Sequence, residues 1–328
     1  MIPDFLLPLP LAFVFTGVVL QLMLTYADRF LPVDAPNERS LHNRPVPRFG
    51  GLAMLIGSAL ALLLAPGSLA PWLWPVVVLA LVSLLDDFVS LSALPRFAVH
   101  ILTASAFAWG QSVAAVWLPL LVVVIVWMTN LYNFMDGSDG LAGGMALAGF
   151  GGYAVLAWFA GDMQVMAVCA AVCGAASAFL LRNLHPASVF MGDVGSIPLG
   201  FLAAGIGVVG VQRGLWHSAI PVLMFLVFIA DATVTLLQRL RRGEKVWQAH
   251  RSHYYQRLVR MGLGHARTAR LYFSIMAGCA LTAVAIEVSA PALAGGALVA
   301  WCLVLTLAGR QVDRHWVRHE ASIQEAAS

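Results

Sequence analysis

The sequence contains very little charge. Only 11% of its 328 residues are Asp, Glu, Lys or Arg, whereas 60% are hydrophobic. A soluble domain carries about 25% charged residues, so this composition excludes an ordinary soluble protein. The formal net charge is only +3, and we expect no nucleic-acid partner.

Other features are also scarce or absent. There is no internal repeat, no low-complexity tract and no second polar domain, so we expect a single domain, residues 1–328. The apolar runs do not alternate with polar residues as the strands of membrane barrels do. The few cysteines all lie inside apolar runs, which favours buried thiols and says nothing about the redox compartment (Cys169, Cys173, Cys279 and Cys302).

Long apolar runs are what the sequence has instead. Only helices or closed barrels can span lipid, because every backbone polar group must be satisfied internally. Runs of roughly 20 apolar residues therefore predict an all-α transmembrane bundle of about 11 spans. We expect these spans at residues 5–26, 49–65, 71–86, 97–114, 115–134, 141–160, 163–181, 196–212, 215–238, 269–288 and 292–309.

The basic residues predict an orientation. Lys and Arg mark cytoplasmic loops, and here nearly all of them fall in alternate connections. This pattern predicts an N-terminus outside and a C-terminus in the cytoplasm, with a long basic loop at 239–267 and a tail at 310–328. Asp4 and the lack of basic residues before the first run predict an uncleaved anchor rather than a signal peptide.

Two adjacent acids end an apolar run. Asp86 and Asp87 directly follow residues 76–85. Acids at a membrane boundary are costly to desolvate, so they are functional candidates by default, with a solvated helix end as the alternative. Arg96 is a candidate phosphate partner or a snorkelling anchor.

A second acidic group lies among glycines. Asn133, Asp136 and Asp139 are spaced by three, which places them on one side of a helix or tight turn. Oxygen ligands of this kind suit Mg²⁺, whereas a capped helix boundary would explain only one acid. Asp193 could be a further ligand. We expect Ser196 to cap the next helix, whose free N–H groups would attract phosphate.

Basic segments on the same side suit phosphate. Arg44 and Arg48 lie in a proline-containing segment that cannot be a regular helix, although it could simply set the topology. His250, Arg251 and His253 are candidates for phosphate or sugar contact, with a solvated amphipathic segment as the alternative. Zinc is not favoured because no third ligand is nearby.

One acid within a span is ambiguous. Asp231 could serve the site or pair with Arg239, and the sequence does not decide between the two. The other candidates together combine acids for Mg²⁺, basic groups for phosphate and glycines for close approach. Phosphoryl transfer needs these parts, because positioning and charge neutralisation supply most of its catalysis. The site abuts lipid, so we expect one substrate to be a membrane lipid.

The ordered motifs PRFGG, LLDDF, NFMDGSDGLAGG, VFMGDVGS and HRSHYYQRL resemble those of the polyprenyl-phosphate N-acetylhexosamine-1-phosphate transferases. The resemblance implies a multi-pass enzyme of the bacterial inner membrane with a cytoplasmic active site. It implies transfer of a sugar-1-phosphate from a UDP-N-acetylhexosamine to undecaprenyl phosphate, with release of UMP. It also implies a requirement for Mg²⁺, with Mn²⁺ as an alternative.

The resemblance also assigns roles to residues. Asn133 and Asp193 match the metal-binding positions, and Asp193 is also a catalytic candidate. Asp139 matches a position that contacts uridine, and Asp136 lies in the same nucleotide pocket. The Asp86–Asp87 pair matches catalytic acids near the lipid phosphate. Residues 250–257 match the histidine-bearing loop near the donor's pyrophosphate and sugar.

Two departures separate this sequence from the peptidoglycan members of the family. Ser90 stands where those enzymes have a lysine, and the last motif reads HRSHYYQRL rather than a histidine run with a glutamate. Both departures favour the branch that initiates polysaccharides such as O-antigen. The donor sugar is left open, and so is a homodimeric assembly.

A secondary transporter is the alternative of a different class. Its acids should lie near the bilayer midplane on broken helices, often in repeated halves. Here the acids gather at one face and no repeat is visible, so we prefer the enzyme. A scaffold without catalysis would leave the acids unexplained.

Overall fold

The computed structural model describes residues 6–26, 33–34, 45–65, 70–89, 91–111, 113–246, 248 and 250–327. In these ranges the chain is helical apart from short connections and a two-stranded antiparallel pairing, β1 Val33–Asp34 with β2 Val46–Pro47. The helices are α1 Pro8–Tyr26, α2 Gly50–Leu64, α3 Trp74–Val89, α4 Ala93–Trp109, α5 Leu118–Phe134, α6 Leu141–Phe159, α7 Met163–Asn183, α8 Asp193–Gln212, α9 Ala219–Met224, α10 Leu226–Arg241, α11 Tyr254–Leu258, α12 Gly264–Ser289 and α13 Ala294–Ala327. The predicted all-α class is therefore confirmed.

Each predicted span coincides with one helix, except the ninth, which is divided between α9 and α10. Phe225 lies between these helices with a φ of −108° and a ψ of 15°. By length and apolarity, eight helical segments of the described chain could cross a membrane. Helices α2 and α4 are shorter, at 15 and 17 residues. The count of about 11 spans, from the length rule, stays a prediction.

Helix α8 lies at the centre of the bundle. It packs against α3 and α5 and also contacts α2. Within its apolar part 94% of the residues are buried, against 6% for α13 at the periphery. A helix that is apolar on all sides must be surrounded by other helices or by lipid. Because α8 begins at Asp193, that acid lies at the centre of one end of the bundle.

The regions predicted as a loop and a tail contain helices. Residues 239–267 include the end of α10, the short helix α11, a π-helical turn at Val259–Leu263 and the start of α12. The predicted tail is a direct continuation of α13, which runs unbroken to Ala327. The described residues of both regions are therefore largely helical.

Candidate active site

Acids and arginines from four segments meet at the end of the bundle where α8 begins. Arg96 Nη1 lies 2.5 Å from Asp86 Oδ2 and 3.3 Å from Asp193 Oδ2. Arg48 Nη2 lies 3.0 Å from Asp87 Oδ1. We call these five residues the charged cluster. The structure thus brings together candidates that are up to 145 positions apart in the sequence.

The charges of this cluster have the opposite sign to those that the dipoles of α3 and α4 favour at these helix ends. Asp86 and Asp87 lie in the last turn of α3, where the dipole favours cations. Arg96 lies in the first turn of α4, where the dipole favours anions. Both placements are unfavourable for an isolated helix. The ion pair between Asp86 and Arg96 offsets them, and such an arrangement is typical of a functional site rather than of a solvated helix end.

Backbone hydrogen bonds hold Arg48 over the start of α8. The N–H groups of Gly50 and Gly51 donate to the carbonyls of Phe190 and Met191, at 2.9 and 2.8 Å. A Cβ on Gly51 would lie 2.2 Å from the Cα of Gly195, so two backbones touch here. This contact requires glycine and fixes the distance between α2 and α8.

The expected cap of α8 is wrong. The helix begins at Asp193, three residues before Ser196, and its N-cap is Gly192 with a φ of 75°. This left-handed conformation, which favours glycine, turns the chain into the helix earlier than Ser196 could. The hydroxyl of Ser196 instead donates to the Asn133 side-chain oxygen at 2.8 Å and contacts the Gly192 carbonyl at 3.2 Å. Ser196 therefore positions Asn133.

The three residues spaced by three separate into two environments. Asn133 and Asp136 face Asp193. Burial and the neighbouring Asp193 raise the pKa of Asp136 well above its ordinary value, although the Gly192 N–H lowers it. Asp139 faces another way. Its buried carboxylate lies 2.6 Å from His185 Nδ1 and accepts the Ala187 N–H at 3.2 Å.

Two histidines that the sequence did not single out lie beside Asp139. The rings of His185 and His265 stack at 5.4 Å between centroids, with 8° between their planes. Ser138 Oγ lies 2.9 Å from His265 Nδ1. His265 comes from the start of α12, far along the chain, so no local pattern could have predicted this contact. His185 is a neighbour of Asn183, whose amide oxygen accepts the Gly140 N–H at 2.9 Å.

Asp231 does not pair with Arg239, and it contacts α11 and His253 of the histidine-bearing segment instead. Its carboxylate accepts the N–H groups of Tyr254 and Tyr255, at 2.9 and 3.1 Å, and the hydroxyl of Tyr272 at 2.6 Å. It thus holds the first turn of α11 in place. Arg239 bonds to Glu244 at 2.7 Å rather than to Asp231.

The other buried arginine of the basic segment is also structural. Arg257 donates to the Ser252 carbonyl and to Asp313 Oδ1, each at 2.7 Å. Arg239 likewise donates to the carbonyls of Lys245 and Gln248, each at 3.2 Å. These contacts fix the fold of the segment and occupy both guanidinium groups, so neither is placed to bind a phosphate.

The histidine candidates differ in exposure. His253 is buried, and its Nδ1 lies 3.3 Å from Asp231 Oδ1. His250 is half-buried, with its ring 4.8 Å from that of His253. Burial, and then the nearby His253 and Arg239, lower the pKa of His250 to about 4, so it is neutral at pH 7. Arg251 is exposed.

The histidine-bearing segment lies beside the Asn133–Asp139 segment. The Tyr255 hydroxyl donates to the Phe134 carbonyl at 3.1 Å, and a Cβ on Gly137 would lie 2.1 Å from that hydroxyl oxygen. The ring of His253 stacks on Phe134 at 6.3 Å. Both segments therefore belong to one end of the bundle. Arg44 lies outside the described residues.

Asn133 and Asp193 could hold a metal ion. Each can offer an oxygen ligand, Asn133 through its amide Oδ1 and Asp193 through its carboxylate. Asp193 keeps 28% of its side chain exposed, so a ligand can reach it. In the described part of the chain no group of three or more His, Cys, Asp or Glu residues forms a metal site. Mg²⁺ usually takes one or two protein ligands and completes its shell with phosphate oxygens and water, so this pair fits Mg²⁺.

The fold and the charged cluster define an integral membrane protein with paired arginines and aspartates at one end. Residues 69–211 match the model of the family described as glycosyl transferase family 4. A probable undecaprenyl-phosphate N-acetylglucosaminyl 1-phosphate transferase of Bacillus subtilis is 30% identical over 265 residues, which are 74% of each chain.

Two other relatives agree with this assignment. A decaprenyl-phosphate N-acetylglucosaminephosphotransferase of Mycolicibacterium smegmatis is 30% identical over 86% of this chain and 82% of its own. A phospho-N-acetylmuramoyl-pentapeptide-transferase of Halalkalibacterium halodurans is 32% identical over 52% of each chain. The chain belongs to the polyprenyl-phosphate hexosamine-1-phosphate transferase family. It is a multi-pass membrane transferase.

Proposed function

We propose that this protein transfers an N-acetylhexosamine-1-phosphate from a UDP-sugar to undecaprenyl phosphate and releases UMP. The observation that carries the proposal is the charged cluster, in which two arginines and three aspartates of four segments meet at one end of an apolar bundle. The names of the relatives support a polyprenyl phosphate as the acceptor and a phosphosugar as the transferred group.

The two arginines are suited to bind phosphate. Arg48 and Arg96 keep 37% and 32% of their side chains exposed, so an anion can reach both. The ion pairs of the charged cluster use Nη2 of Arg48 and Nη1 of Arg96, whereas the Nε atoms are buried and have no hydrogen-bond partner among the described residues. Each guanidinium therefore retains a donor that its aspartate does not use. Arginine binds phosphate strongly because its donors match the geometry of two phosphate oxygens.

We propose direct attack by the lipid phosphate. A phosphate oxygen of the acceptor forms a bond to the β-phosphorus of the donor. The bond between that phosphorus and the bridging oxygen breaks, and UMP leaves with the electron pair. A phosphate monoester has a second pKa of about 6, so the acceptor is largely a dianion at pH 7 and needs little activation.

The ion pairs argue against Asp86 or Asp87 as a covalent nucleophile. Each carboxylate is bound by an arginine, at 2.5 and 3.0 Å. An opposite charge at this distance stabilises the carboxylate, which makes it a weaker nucleophile. The pair instead orients the two arginines, which offset the repulsion between the acceptor and the donor's pyrophosphate.

Asn133 and Asp193 would hold Mg²⁺, which supplies charge neutralisation on the pyrophosphate when bound. Ser196 fixes the Asn133 side chain through its hydroxyl. Arg96 contacts both Asp193, the proposed metal ligand, and Asp86, the acid proposed to lie near the acceptor phosphate. A displacement of Asp193 can therefore reach Asp86 through Arg96. We assign Asp136 and Asp139 to the nucleotide pocket.

We further propose that the reaction takes place at the cytoplasmic face and starts a cell-surface polysaccharide. The distribution of Arg and Lys along the sequence supports the cytoplasmic face as the location of the site. The loop HRSHYYQRL supports the polysaccharide branch, because its buried His253 and Arg257 are committed to internal contacts. His250, Arg251 and Ser252 remain accessible in this loop, and we infer that so small an accessible set suits a small N-acetylhexosamine better than a peptide-bearing one.

One assay tests this function. Purified protein would receive undecaprenyl phosphate, Mg²⁺ and a panel of UDP-sugars that includes UDP-N-acetylglucosamine, 6-deoxy N-acetylhexosamine donors and UDP-N-acetylmuramoyl-pentapeptide. We expect UMP release and a lipid product of the matching mass with an N-acetylhexosamine. Absence of UMP with every donor, as a transporter would give, contradicts the proposal, and preference for the pentapeptide donor contradicts the branch.

A further inference from the structure

Two adjacent tyrosines of α11 direct their hydroxyls to different parts of the molecule. The Tyr254 hydroxyl donates to Asp313 Oδ2 at 3.1 Å and so faces the C-terminal helix α13. The Tyr255 hydroxyl donates to the Phe134 carbonyl at 3.1 Å. Phe134 directly follows Asn133, the candidate metal ligand, so Tyr255 contacts the segment that carries the site.

The Tyr255 hydroxyl joins two points of that segment. Phe134 is the last residue of α5, and the last carbonyls of a helix have no partner within the helix. The hydroxyl supplies a donor to one of these carbonyls. It also lies against Gly137, whose backbone N–H bonds to it. A single hydroxyl therefore contacts the chain on both sides of Asp136 and closes the turn at residues 134–137.

Tyr255 is also held at its backbone. Its N–H donates to Asp231 Oδ2 at 3.1 Å, and Asp231 accepts the Tyr272 hydroxyl at 2.6 Å. Helices α10, α11 and α12 therefore meet at one carboxylate. The side chain of Tyr255 is fully buried, and buried rings in a close-packed interior keep one orientation. Tyr255 thus connects this three-helix contact to the turn at residues 134–137.

The turn carries two residues of the candidate site. Asn133 lies just before it, and Asp136 lies within it. Ser196 of α8 holds the Asn133 side chain, and Tyr255 holds the neighbouring backbone. We propose that Tyr255 is a positioning residue for Asn133 and Asp136, and through them for the metal ion and the nucleotide of the donor. This inference rests on the proposed function, because that function assigns Asn133 to Mg²⁺ and Asp136 to the nucleotide pocket.

A matched pair of substitutions tests the inference without turnover. Tyr255→Phe and Tyr254→Phe each remove one hydroxyl from α11, but only the first releases the turn. The probe is Mn²⁺, titrated into purified protein in detergent with a fixed concentration of UDP and followed by electron paramagnetic resonance. We expect Tyr255→Phe to weaken Mn²⁺ binding about tenfold, as loss of a group that orients a metal ligand does. Tyr254→Phe should leave Mn²⁺ binding unchanged.

Three results of this titration would overturn the inference. The first is unchanged Mn²⁺ binding by folded Tyr255→Phe. The second is an equal loss in both variants, since the loss would then come from the stability of α11 and not from the turn. The third is that the unaltered protein binds no Mn²⁺ in the presence of UDP.

A double-mutant cycle uses the contact between the Tyr255 hydroxyl and Gly137. Gly137 has no positive φ, so its backbone is compatible with alanine. An added Cβ would lie 2.1 Å from the hydroxyl oxygen but 3.2 Å from the ring carbon Cζ, so the hydroxyl is the main obstacle. We expect Gly137→Ala to weaken Mn²⁺ binding at least about tenfold, and the double variant with Tyr255→Phe to bind no worse than Tyr255→Phe alone. Losses that simply multiply in the double variant would overturn the inference.

Turnover provides a second readout. We expect Tyr255→Phe to raise the KM for the UDP-sugar and the Mg²⁺ concentration at half-maximal rate, each about tenfold, and to leave the KM for undecaprenyl phosphate unchanged. An equal rise in both KM values would overturn the inference, because a general loosening of the site would produce it. If the unaltered protein released no UMP with any donor, the proposed function would fail, whereas the Mn²⁺ titration would still decide the role of Tyr255.

Discussion

The contact between Gly51 and Gly195 allows a sharp test of the charged cluster. In Gly51→Ala the new Cβ would lie 2.2 Å from the Cα of Gly195. Carbon atoms need about 3.5 Å, so the backbones of α2 and α8 would have to separate by more than about 1 Å. Arg48 is three residues before Gly51 and would move with α2, away from Asp87.

Two effects should follow from this shift. Overpacking of this kind destabilises a protein by about 1–3 kcal/mol. A displacement of about 1 Å at a site that depends on positioning can lower the rate about 10²-fold. We therefore expect a modest loss of thermal stability and a much larger loss of kcat for UMP release. The substitution adds one methyl group and removes no charge.

The matched control is Gly17→Ala in α1, where an added Cβ meets no atom within 4 Å. We expect it to keep full activity. Both variants would be compared in detergent by UMP release at saturating substrates and by thermal unfolding. If folded Gly51→Ala turned over at nearly the normal rate, the fixed distance between α2 and α8 would not matter for catalysis, and the reasoning would be refuted.

Four further predictions concern the metal, the nucleophile, the role of Asp86 and the topology. Asp193→Asn keeps the shape of the side chain but removes the charge that faces the cation, so we expect at least ~10²-fold slower turnover; near-normal turnover of folded protein would refute the metal assignment. Direct attack predicts no exchange of labelled UMP into UDP-sugar without undecaprenyl phosphate, and robust exchange in delipidated protein would establish the covalent route. If Asp86 acts only as a base, Asp86→Asn should regain part of its rate as the pH rises above about 6, where the lipid phosphate loses its second proton unaided. A single cysteine at Lys245 should resist an impermeant reagent in intact cells because that segment is predicted to be cytoplasmic; labelling there would reverse the topology.

The helices could be predicted from the sequence for a simple physical reason. A long apolar run in lipid has few alternatives to a helix, so the run alone determines the element. The break at Phe225 had no such signal, because the residues on both sides of it are equally apolar. Likewise the start of α8 depends on the left-handed conformation of Gly192, which is invisible in a count of apolar residues.

The sequence could suggest which residues belong to the candidate site, but not which of them contact each other. Acids at span ends were recognisable because they are costly there. Which arginine binds which acid depends on contacts between distant segments. Arg257 and Asp313 are 56 residues apart and pair at 2.7 Å. For the same reason, the sequence could not show that Asp231 anchors α11 rather than pairing with Arg239.

The ion pair between Arg257 and Asp313 links the C-terminal helix α13 to the histidine-bearing segment. The guanidinium is 5% exposed, and its carboxylate partner is carried by the far part of α13. Removing Asp313 leaves the buried charge of Arg257 without its carboxylate partner, which is destabilising. Shortening the chain before residue 313 would therefore remove one anchor of the histidine-bearing segment, while the contacts of Asp231 with Tyr254 and Tyr255 would remain. The last helix thus helps to hold the histidine-bearing segment through Asp313, and a tag placed after Ala327 leaves that contact intact.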